Sequence, residues 1–196
     1  MTIPSGVVGI SEWAFVNNQI SSLSIPSSVT SIWWGVSGWA FQYNNFTHLT
    51  IPSSVTSIWD RAFANNQITD LVLLSTGASI WSEAFRYNQI SSLSFAPGTT
   101  SIWWPYGWFY AFANNQLTTV VIPQGMATMG SLAFAYNSLT SVTLPNTITH
   151  LGVKTFDYQL SDPGTGIIYG PASGYVKDTY WNAFDMYIFT TYVDQF

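Results

Sequence analysis

Few residues of this 196-residue chain have the chemistry that catalysis needs. A nucleophilic serine or cysteine would need a histidine that a carboxylate orients. The chain has no cysteine, and its two histidines, His48 and His150, are too far apart in the sequence to share a site in a repeat protein. Asp60 and Glu83 are conceivable as a paired-carboxylate site, but the adjacent Arg61 more simply neutralises them. The sequence therefore predicts a protein that is not an enzyme.

Composition argues against several classes of ligand. Without cysteine there is no disulfide and no thiolate zinc site, and the acidic residues do not follow a calcium-loop pattern, so no metal and no cofactor are expected. The net charge of −5, from 9 acidic and 4 basic residues, disfavours nucleic acid as a partner. The chain contains no apolar run of about 18 residues, which predicts no membrane insertion. The first six residues do not resemble a signal peptide.

Aromatic residues are the ones whose distribution carries information. The chain is 17% aromatic but only 7% charged, and nine of its 10 tryptophans lie in short segments that each precede an Ala-Phe pair. Tryptophan and tyrosine combine a large contact area with few rotatable bonds, which enriches them at recognition surfaces. The chemistry that the sequence offers is therefore binding.

These segments recur because the chain is built from a repeat of about 22 residues. Each unit begins at an Ile-Pro-like pair, as in IPSSVTSIWDRAFANNQITDLV from Ile51, and a degenerate seventh unit begins at Leu144. Two units are longer, because they contain WWGVSGW and WWPYGWFY before the Ala-Phe pair. Since no unit can bury its apolar face alone, the units are expected to stack as the coils of a solenoid.

Every unit predicts the same local structure. The alternation over residues 20–25 favours a half-buried strand that Pro26 ends, and the pair Val55 and Ile58 is expected to point inward again. The Ala-Phe pair is predicted to lie in a short helical turn with the Phe ring in the core. An Asn three residues after each Phe predicts a ladder of side-chain amides that satisfy buried backbone groups. These residues are Asn18, Asn44, Asn66, Asn88, Asn115 and Asn137.

The pattern IPxxVxxI…AFxxNxLxxLxIP, over about residues 3–160, resembles the BspA-type (Treponema pallidum-type) leucine-rich repeats of bacterial surface proteins. The resemblance implies an α/β leucine-rich-repeat solenoid of about seven coils, with a parallel β-sheet and short helical turns. It also implies a location outside the cell or on the cell surface.

The tail is similar to the end of such arrays. The similarity implies a strand at Ile167–Gly170, a helix near Ser173–Phe184 and a last strand at Ile188-Phe189. We therefore expect the solenoid to occupy residues 1–162 and an α/β cap to occupy residues 163–196. No cap of this kind is expected before the first coil.

One position departs from the family pattern. After the second Ile the family usually has Gly, as at Gly130 and Gly152, whereas four units have Trp. A position that accepts both does not demand a positive φ, and we expect it to face outward. Because parallel coils are about 4.8 Å apart, the two enlarged loops are expected to project from one edge, about 14–15 Å from each other. The predicted ligand-binding residues of this edge are Trp33, Trp34, Trp39, Trp59, Asp60, Arg61, Trp81, Glu83, Trp103, Trp104, Tyr106, Trp108, Phe109 and Tyr110.

Two functions suit such an edge. The first is recognition or adhesion through a protein ligand, or a glycan, on a surface. The second is structural, with the aromatic edge or the uncapped first coil driving assembly into homo-oligomers or fibres. A purely stabilising stack of tryptophans is the alternative to both. The opposite sheet face is a weaker candidate, with His48 and Asp70 as its distinctive pair.

A constant frame with one variable aromatic slot is also typical of diversified sets of binding proteins. Comparison with sibling chains would test this idea, because variation outside the slot would count against it.

Overall fold

The computed structural model describes residues 1–32, 38–99, 101–102, 109–152 and 154–159. It also describes the backbone of three strands nearer the C-terminus. All statements below refer to these residues.

The described part of the chain contains fifteen short strands, all in parallel pairs. They are β1 (Gly9–Ile10), β2 (Ser31–Ile32), β3 (His48–Ile51), β4 (Ser57–Ile58), β5 (Asp70–Leu73), β6 (Ser79–Ile80), β7 (Ser92–Phe95), β8 (Ser101–Ile102), β9 (Thr119–Val121), β10 (Thr128–Met129), β11 (Ser141–Thr143), β12 (His150–Leu151), β13 (Ile167–Gly170), β14 (Val176–Lys177) and β15 (Thr191–Asp194). Each coil contributes one strand to each of two sides, which is the arrangement of a solenoid.

One side is an eight-stranded sheet with the order β1-β2-β4-β6-β8-β10-β12-β14. Its register aligns the second apolar residue of successive coils, such as Ile32 with Ile58 and Ile58 with Ile80. These side chains are buried, as the sequence predicts. The strands are short because each coil bends into a turn directly after them.

The other side carries the strands that follow the Asn positions. The described strands form a three-stranded sheet, β3-β5-β7, and a four-stranded sheet, β15-β13-β11-β9. Leu49 pairs with Leu71, which pairs with Leu93, and in β3 and β5 burial alternates along the strand. The predicted half-buried strands are confirmed there. At the end of the first unit, the strand expected around Leu23 is reduced to one bridge between Thr2 and Ser24.

The core contains a stack of phenylalanine rings, one from each coil. We number the coils 1 to 7 by these residues, which are Phe15, Phe41, Phe63, Phe85, Phe112, Phe134 and Phe156. Neighbouring ring centroids lie 5.1–5.6 Å apart, and their planes differ by 3–17°. The inward position predicted for Phe is confirmed, and the stack holds successive coils in register.

The predicted amide ladder is confirmed from Asn44 onward, whereas Asn18 is exposed and donates only to the Val16 carbonyl among the described residues. In coil 4, Asn88 Oδ1 accepts the Ile68 N–H of the preceding unit at 3.1 Å, and Asn88 Nδ2 donates to the carbonyls of Phe63 and Phe85 at 2.9 and 3.1 Å. Asn115 and Asn137 repeat this pattern. In coil 7 the amide of Gln159 takes the same role. Backbone groups that would otherwise be buried without partners are satisfied in this way.

The Ala-Phe pairs differ from the prediction, because the described residues contain no helix. In coil 3, Arg61 has a left-handed φ of 52°, and the Ala62 N–H donates to the Trp59 carbonyl in a tight turn. The next N–H, that of Phe63, donates to the Ala84 carbonyl of the following coil at 2.8 Å. An α-helix would direct these N–H groups four residues back along its own chain. Stacking replaces those bonds with bonds between coils.

The C-terminal strands extend both sides of the solenoid. β13 pairs with β11, β14 pairs with β12, and β15 pairs with β13. The strand expected at Ile167–Gly170 is confirmed. Val176–Lys177 is a strand, which corrects the expected helix at those two residues, while the rest of that helix and Ile188-Phe189 lie outside the described residues.

Candidate functional site

A strip of left-handed residues runs along the outside of the turns, and we call it the turn wall. It has three columns. The first is the second residue before each Phe and the third is the second residue after it, and both are left-handed. The floor position between them is the first residue after the Phe. The first column is Trp13, Trp39, Arg61, Glu83, Tyr110, Leu132 and Lys154. The floor is Val16, Gln42, Ala64, Arg86, Ala113, Ala135 and Asp157. The third column is Asn17, Tyr43, Asn65, Tyr87, Asn114, Tyr136 and Tyr158.

All residues of the two outer columns have φ between 42 and 64°. Residues other than Gly rarely adopt this backbone conformation, so contacts with the surrounding structure must hold them in it. Hydrogen bonds between coils do so: the Arg61 N–H donates to the Ser82 carbonyl at 3.0 Å, and the Asn65 N–H donates to the Arg86 carbonyl at 3.0 Å. The turn wall is therefore a rigid support for the side chains it carries.

Four of the predicted edge residues belong to this wall's first column, namely Trp39, Arg61, Glu83 and Tyr110. The tryptophans that open the segments lie elsewhere. Trp59 and Trp81 are half-buried and stack face to face, with ring centroids 3.9 Å apart and planes 15° apart. The Trp59 indole nitrogen is buried and has no hydrogen-bond partner among the described residues. In these two coils the indole faces pack coil against coil.

The position after the second Ile does not face outward in every coil. Gly130 and Gly152 are buried. A Cβ on Gly130 would meet the ring of Phe109 at 2.5 Å, and one on Gly152 would collide with the backbone at Ser131. Neither glycine has a positive φ, as predicted. Close packing between coils therefore selects Gly at these two positions.

The charged residues of the turn wall in coils 3 and 4 form one cluster. Glu83 accepts hydrogen bonds from Arg61 Nη2 at 2.7 Å and from Arg86 Nη1 at 3.1 Å, one on each carboxylate oxygen. Arg86 Nε also donates to Asn114 Oδ1 at 3.3 Å. The cluster therefore sets two guanidinium groups against one shared carboxylate.

The pKa values in this cluster follow from these contacts. Burial by itself would raise the pKa of Glu83, but the hydrogen bonds and charges of Arg61 and Arg86 more than offset it and hold that pKa below its ordinary value. The hydrogen bond to Glu83 raises the pKa of Arg61. Glu83 is thus an ionised carboxylate in a structural role, which does not favour general acid catalysis.

Aromatic rings surround both arginines. The guanidinium carbon of Arg86 lies 4.0 Å from the Tyr110 ring centroid and 4.5 Å from that of Tyr87. That of Arg61 lies 5.5 Å from the Trp39 ring centroid. Planar guanidinium groups bind the faces of aromatic rings, which orders the side chains of this region before any ligand arrives.

Asp60, another of the predicted binding residues, is half-buried. Burial raises the pKa of its carboxyl, while the charge of Arg61 partly opposes that shift. Its Oδ1 atom is buried and accepts no hydrogen bond within the described residues. Asp60 is therefore only partly accessible to a ligand.

The enlarged loops are described only at their ends. Phe109 is buried against Gly130, and Gly38 packs against the backbone of Asp60. Six predicted residues lie outside the described residues, and these are Trp33, Trp34, Trp103, Trp104, Tyr106 and Trp108.

The sequence reasoning missed the tyrosines of the third column. Tyr43, Tyr87 and Tyr158 are 53%, 46% and 46% exposed, and the Tyr136 and Tyr158 rings stack with centroids 4.8 Å apart. The available signal was the Tyr-Asn dipeptide that begins two residues after the Phe in coils 2, 4 and 6. These tyrosines follow the Ala-Phe pairs, whereas the aromatic segments that predicted the binding edge precede them.

The sheet face holds one charged pair. His48 Nε2 lies 3.2 Å from Asp70 Oδ2, and both side chains are largely exposed. Within the described residues no group of three potential metal ligands occurs. A contact between two exposed side chains of this kind contributes little to stability.

Comparison with known proteins agrees with this architecture. The model of the BspA type leucine-rich repeat region, with 6 copies, matches residues 1–91 and 35–161. The chain belongs to the BspA-type leucine-rich repeat family. Its recognition from the repeat pattern is thereby confirmed. No curated protein and no solved structure matches the chain.

The BspA-type leucine-rich repeat family is associated with protein interaction and adhesion, and typically with surfaces. Solenoids of this family are generally not enzymes. In the described part of this member, no helix is long and apolar enough to cross a membrane.

Proposed function

We propose that this protein is a non-enzymatic recognition or adhesion module whose aromatic-rich edge binds a protein ligand outside the cell or on a cell surface. The observation that supports it is the cluster around Glu83. There, Arg61 and Arg86 are held between a shared carboxylate and aromatic rings on a rigid wall. Arginine and aromatic residues dominate the binding energy of protein interfaces, and side chains that are already ordered lose little entropy on binding.

The charge of the cluster favours an acidic or aromatic group on the partner. Arg61 is partly exposed, and Tyr87 is 46% exposed beside Arg86. A carboxylate of the partner would find two guanidinium groups that share one hydrogen-bonded carboxylate. In the sequence, the aromatic segments WWGVSGW and WWPYGWFY lie on either side of the cluster. A glycan is the alternative ligand for the same edge.

The test is a binding screen of the intact chain against purified cell-surface proteins, followed by variants. For a protein that binds, Arg61→Ala and Tyr87→Ala should each weaken binding by about tenfold, which corresponds to about 1.4 kcal/mol. The matched control is His48→Ala on the sheet face, which should leave affinity unchanged. Loss of binding with His48→Ala, together with normal binding by the other two variants, would assign recognition to the sheet face.

A second candidate function is self-assembly through the first coil or the aromatic edge. It is favoured by the exposure of Val8 and Trp13 in the first coil. Sedimentation of the wild-type chain over a concentration series distinguishes the two functions. Multimers that dissociate when Trp59 and Trp81 are changed to Ala would indicate assembly through the edge, whereas a persistent monomer that binds a ligand would indicate recognition.

A further inference from the structure

An open cleft lies on the turn wall of coils 1 and 2. Its volume is about 520 Å³, within the range of sites that hold small ligands. It is lined by Trp13, Val16, Asn17, Trp39, Gln42 and Tyr43. Of these residues, the predicted edge includes Trp39 alone.

The aromatic side chains of the cleft keep faces available for a ligand. The Trp13 and Trp39 ring centroids are 6.1 Å apart and their planes differ by 34°, so the rings do not stack as Trp59 and Trp81 do. Trp13 is 56% exposed, and Tyr43, from the third column of coil 2, is 53% exposed. Trp13, Trp39 and Tyr43 have left-handed backbone. The Trp39 and Tyr43 N–H groups donate to carbonyls of coil 3, which makes the cleft a preformed feature.

Gln42 at the floor of the cleft is an unsatisfied polar group. The residue is only 5% exposed, and its Oε1 is buried with no hydrogen-bond partner among the described residues. In coils 3, 5 and 6 the same position is Ala64, Ala113 and Ala135, so the fold does not need an amide here. A buried carbonyl oxygen without a partner is costly, and a ligand that donates a hydrogen bond to it recovers that cost.

The lining is uncharged. Among the lining residues, Trp39 lies near a charged group: its ring centroid is 5.5 Å from the Arg61 guanidinium carbon. The Arg61 guanidinium group is already paired with Glu83 at 2.7 Å. The ligand that suits this cleft is therefore neutral, has an apolar face for the aromatic rings and carries a hydrogen-bond donor for Gln42.

We propose that the cleft of coils 1 and 2 binds a neutral carbohydrate. The C–H face of a pyranose ring lies against Trp13 or Tyr43, and a sugar hydroxyl donates to Gln42 Oε1 after a rotation about the last bond of that side chain, a torsion with a broad energy well. An apolar side chain of a protein would cover the aromatic rings but would leave the amide oxygen without a donor in a drier site. This proposal does not rest on a protein ligand at the Glu83 cluster.

The experiment is calorimetric titration of the intact chain with neutral tetrasaccharides of glucose, mannose, galactose and N-acetylglucosamine, each at up to about 10 mM. We expect at least one of them to bind. Trp13→Ala and Tyr43→Ala should weaken that binding about tenfold, and the matched control Tyr158→Ala, at the same position of coil 7 and 46% exposed, should not change it.

The variant Gln42→Met separates a binding role from a structural one. It keeps the length of the side chain and removes the unpartnered oxygen, so the melting temperature should stay equal or rise while sugar affinity falls about threefold to tenfold. A lower melting temperature with unchanged sugar binding would overturn the proposal, as would unchanged binding by Trp13→Ala.

Failure to bind any of the four tetrasaccharides would also overturn it, and so would binding of leucine- or phenylalanine-rich peptides to this cleft in their place. These results can be distinguished from a failure of protein binding at the Glu83 cluster. Protein binding at the Glu83 cluster should survive Gln42→Met, and sugar binding should survive Tyr87→Ala.

Discussion

Coils 1 and 2 and coils 4 to 7 use the same positions of the turn wall in opposite ways. In coils 1 and 2, the side chains of Trp13 and Tyr43 extend into solvent beside an open cleft. In coils 4 to 7, side chains of the turn wall pack against one another. Arg86 lies between Tyr87 and Tyr110, and further along the strip Tyr110 and Tyr136 pack against a small apolar cluster that contains Leu132.

The backbone is the same in both regions, so the side chains alone make this difference. A rigid solenoid allows each coil to carry its own chemistry at one place, because the core and the amide ladder define the path of the coil. Aromatic residues that cover a neighbour stabilise the fold, whereas those that cover nothing remain available for a partner.

The largest contrast is expected at the amide ladder. Asn115 bonds four buried backbone groups, those of Ile90, Phe85, Phe112 and Ala113. Asn18 in coil 1 is exposed and bonds only the Val16 carbonyl among the described residues. Asn115→Ala should lower the free energy of unfolding by about 3 kcal/mol, and Asn18→Ala by less than about 0.5 kcal/mol. Urea unfolding measures both, and equal losses would contradict the view of coil 1 as the looser end.

The next contrast concerns the filling of the strip. Arg86→Ala removes the bonds to Glu83 and Asn114 and the contact with Tyr110, and should lower the free energy of unfolding by about 2 kcal/mol. Trp13→Ala, in the open region, should change it by no more than about 0.5 kcal/mol. Arg86→Lys serves as the control for charge, because it keeps the cation but loses the planar fork. Thermal unfolding that ranks Trp13→Ala below Arg86→Ala in stability would refute the contrast.

A smaller effect is expected from pH at the floor position of coil 7. Burial raises the pKa of Asp157 to about 6, against an opposing effect of Lys154, and its Oδ1 accepts no hydrogen bond in the described part of the chain. The folded state therefore binds a proton that the unfolded state has already released between about pH 4 and pH 6. Stability should fall by about 1–2 kcal/mol as the pH rises through this window and then level off.

Asp157→Asn is the matched variant for this pH dependence. It should remove that part of the slope and raise stability at pH 7, as urea unfolding at several pH values would show. Glu83, whose pKa is held low, contributes with the opposite sign, since its stabilisation is lost as the pH falls through that lowered pKa. An unchanged slope in Asp157→Asn would assign the pH dependence to other groups.

The smallest effect is expected at the exposed end of coil 7. Lys154 Nζ donates to the Tyr158 hydroxyl at 2.9 Å and lies 5.2 Å from the centroid of that ring. Exposed contacts of this kind are worth little, so Lys154→Ala should change the free energy of unfolding by less than about 0.5 kcal/mol. A loss as large as that of Arg86→Ala would mean that the wall is tightly coupled along its whole length.

Much of the fold was predictable because the same residue pattern recurs in each coil. The strands, the inward Phe and the amide ladder each recur at a fixed place, and a role that seven coils share must be one that stacking requires. The turn after each second Ile was not predictable in the same way. An Ala-Phe pair in a polar context suits a helical turn equally well, and only the bonds to the next coil decide between the two backbones.

The candidate site was predictable in part. Arg61 and Glu83 could be expected to meet, since parallel coils place equivalent positions side by side. The stacking of Trp59 on Trp81, the burial of Phe109 and the exposure of Tyr43 depend on side-chain directions that the period does not specify. Left-handed backbone at the outer columns turns those side chains in ways that strand or helix periodicity does not describe.

The sequence alone thus determined the repeat, its period, the family and the residue types that face the core, because each is repeated along one chain. Tertiary structure decided which aromatic rings stack on one another and which remain exposed. That choice depends on contacts between coils, where Gln42 lines an open cleft and Arg86 fills the equivalent space.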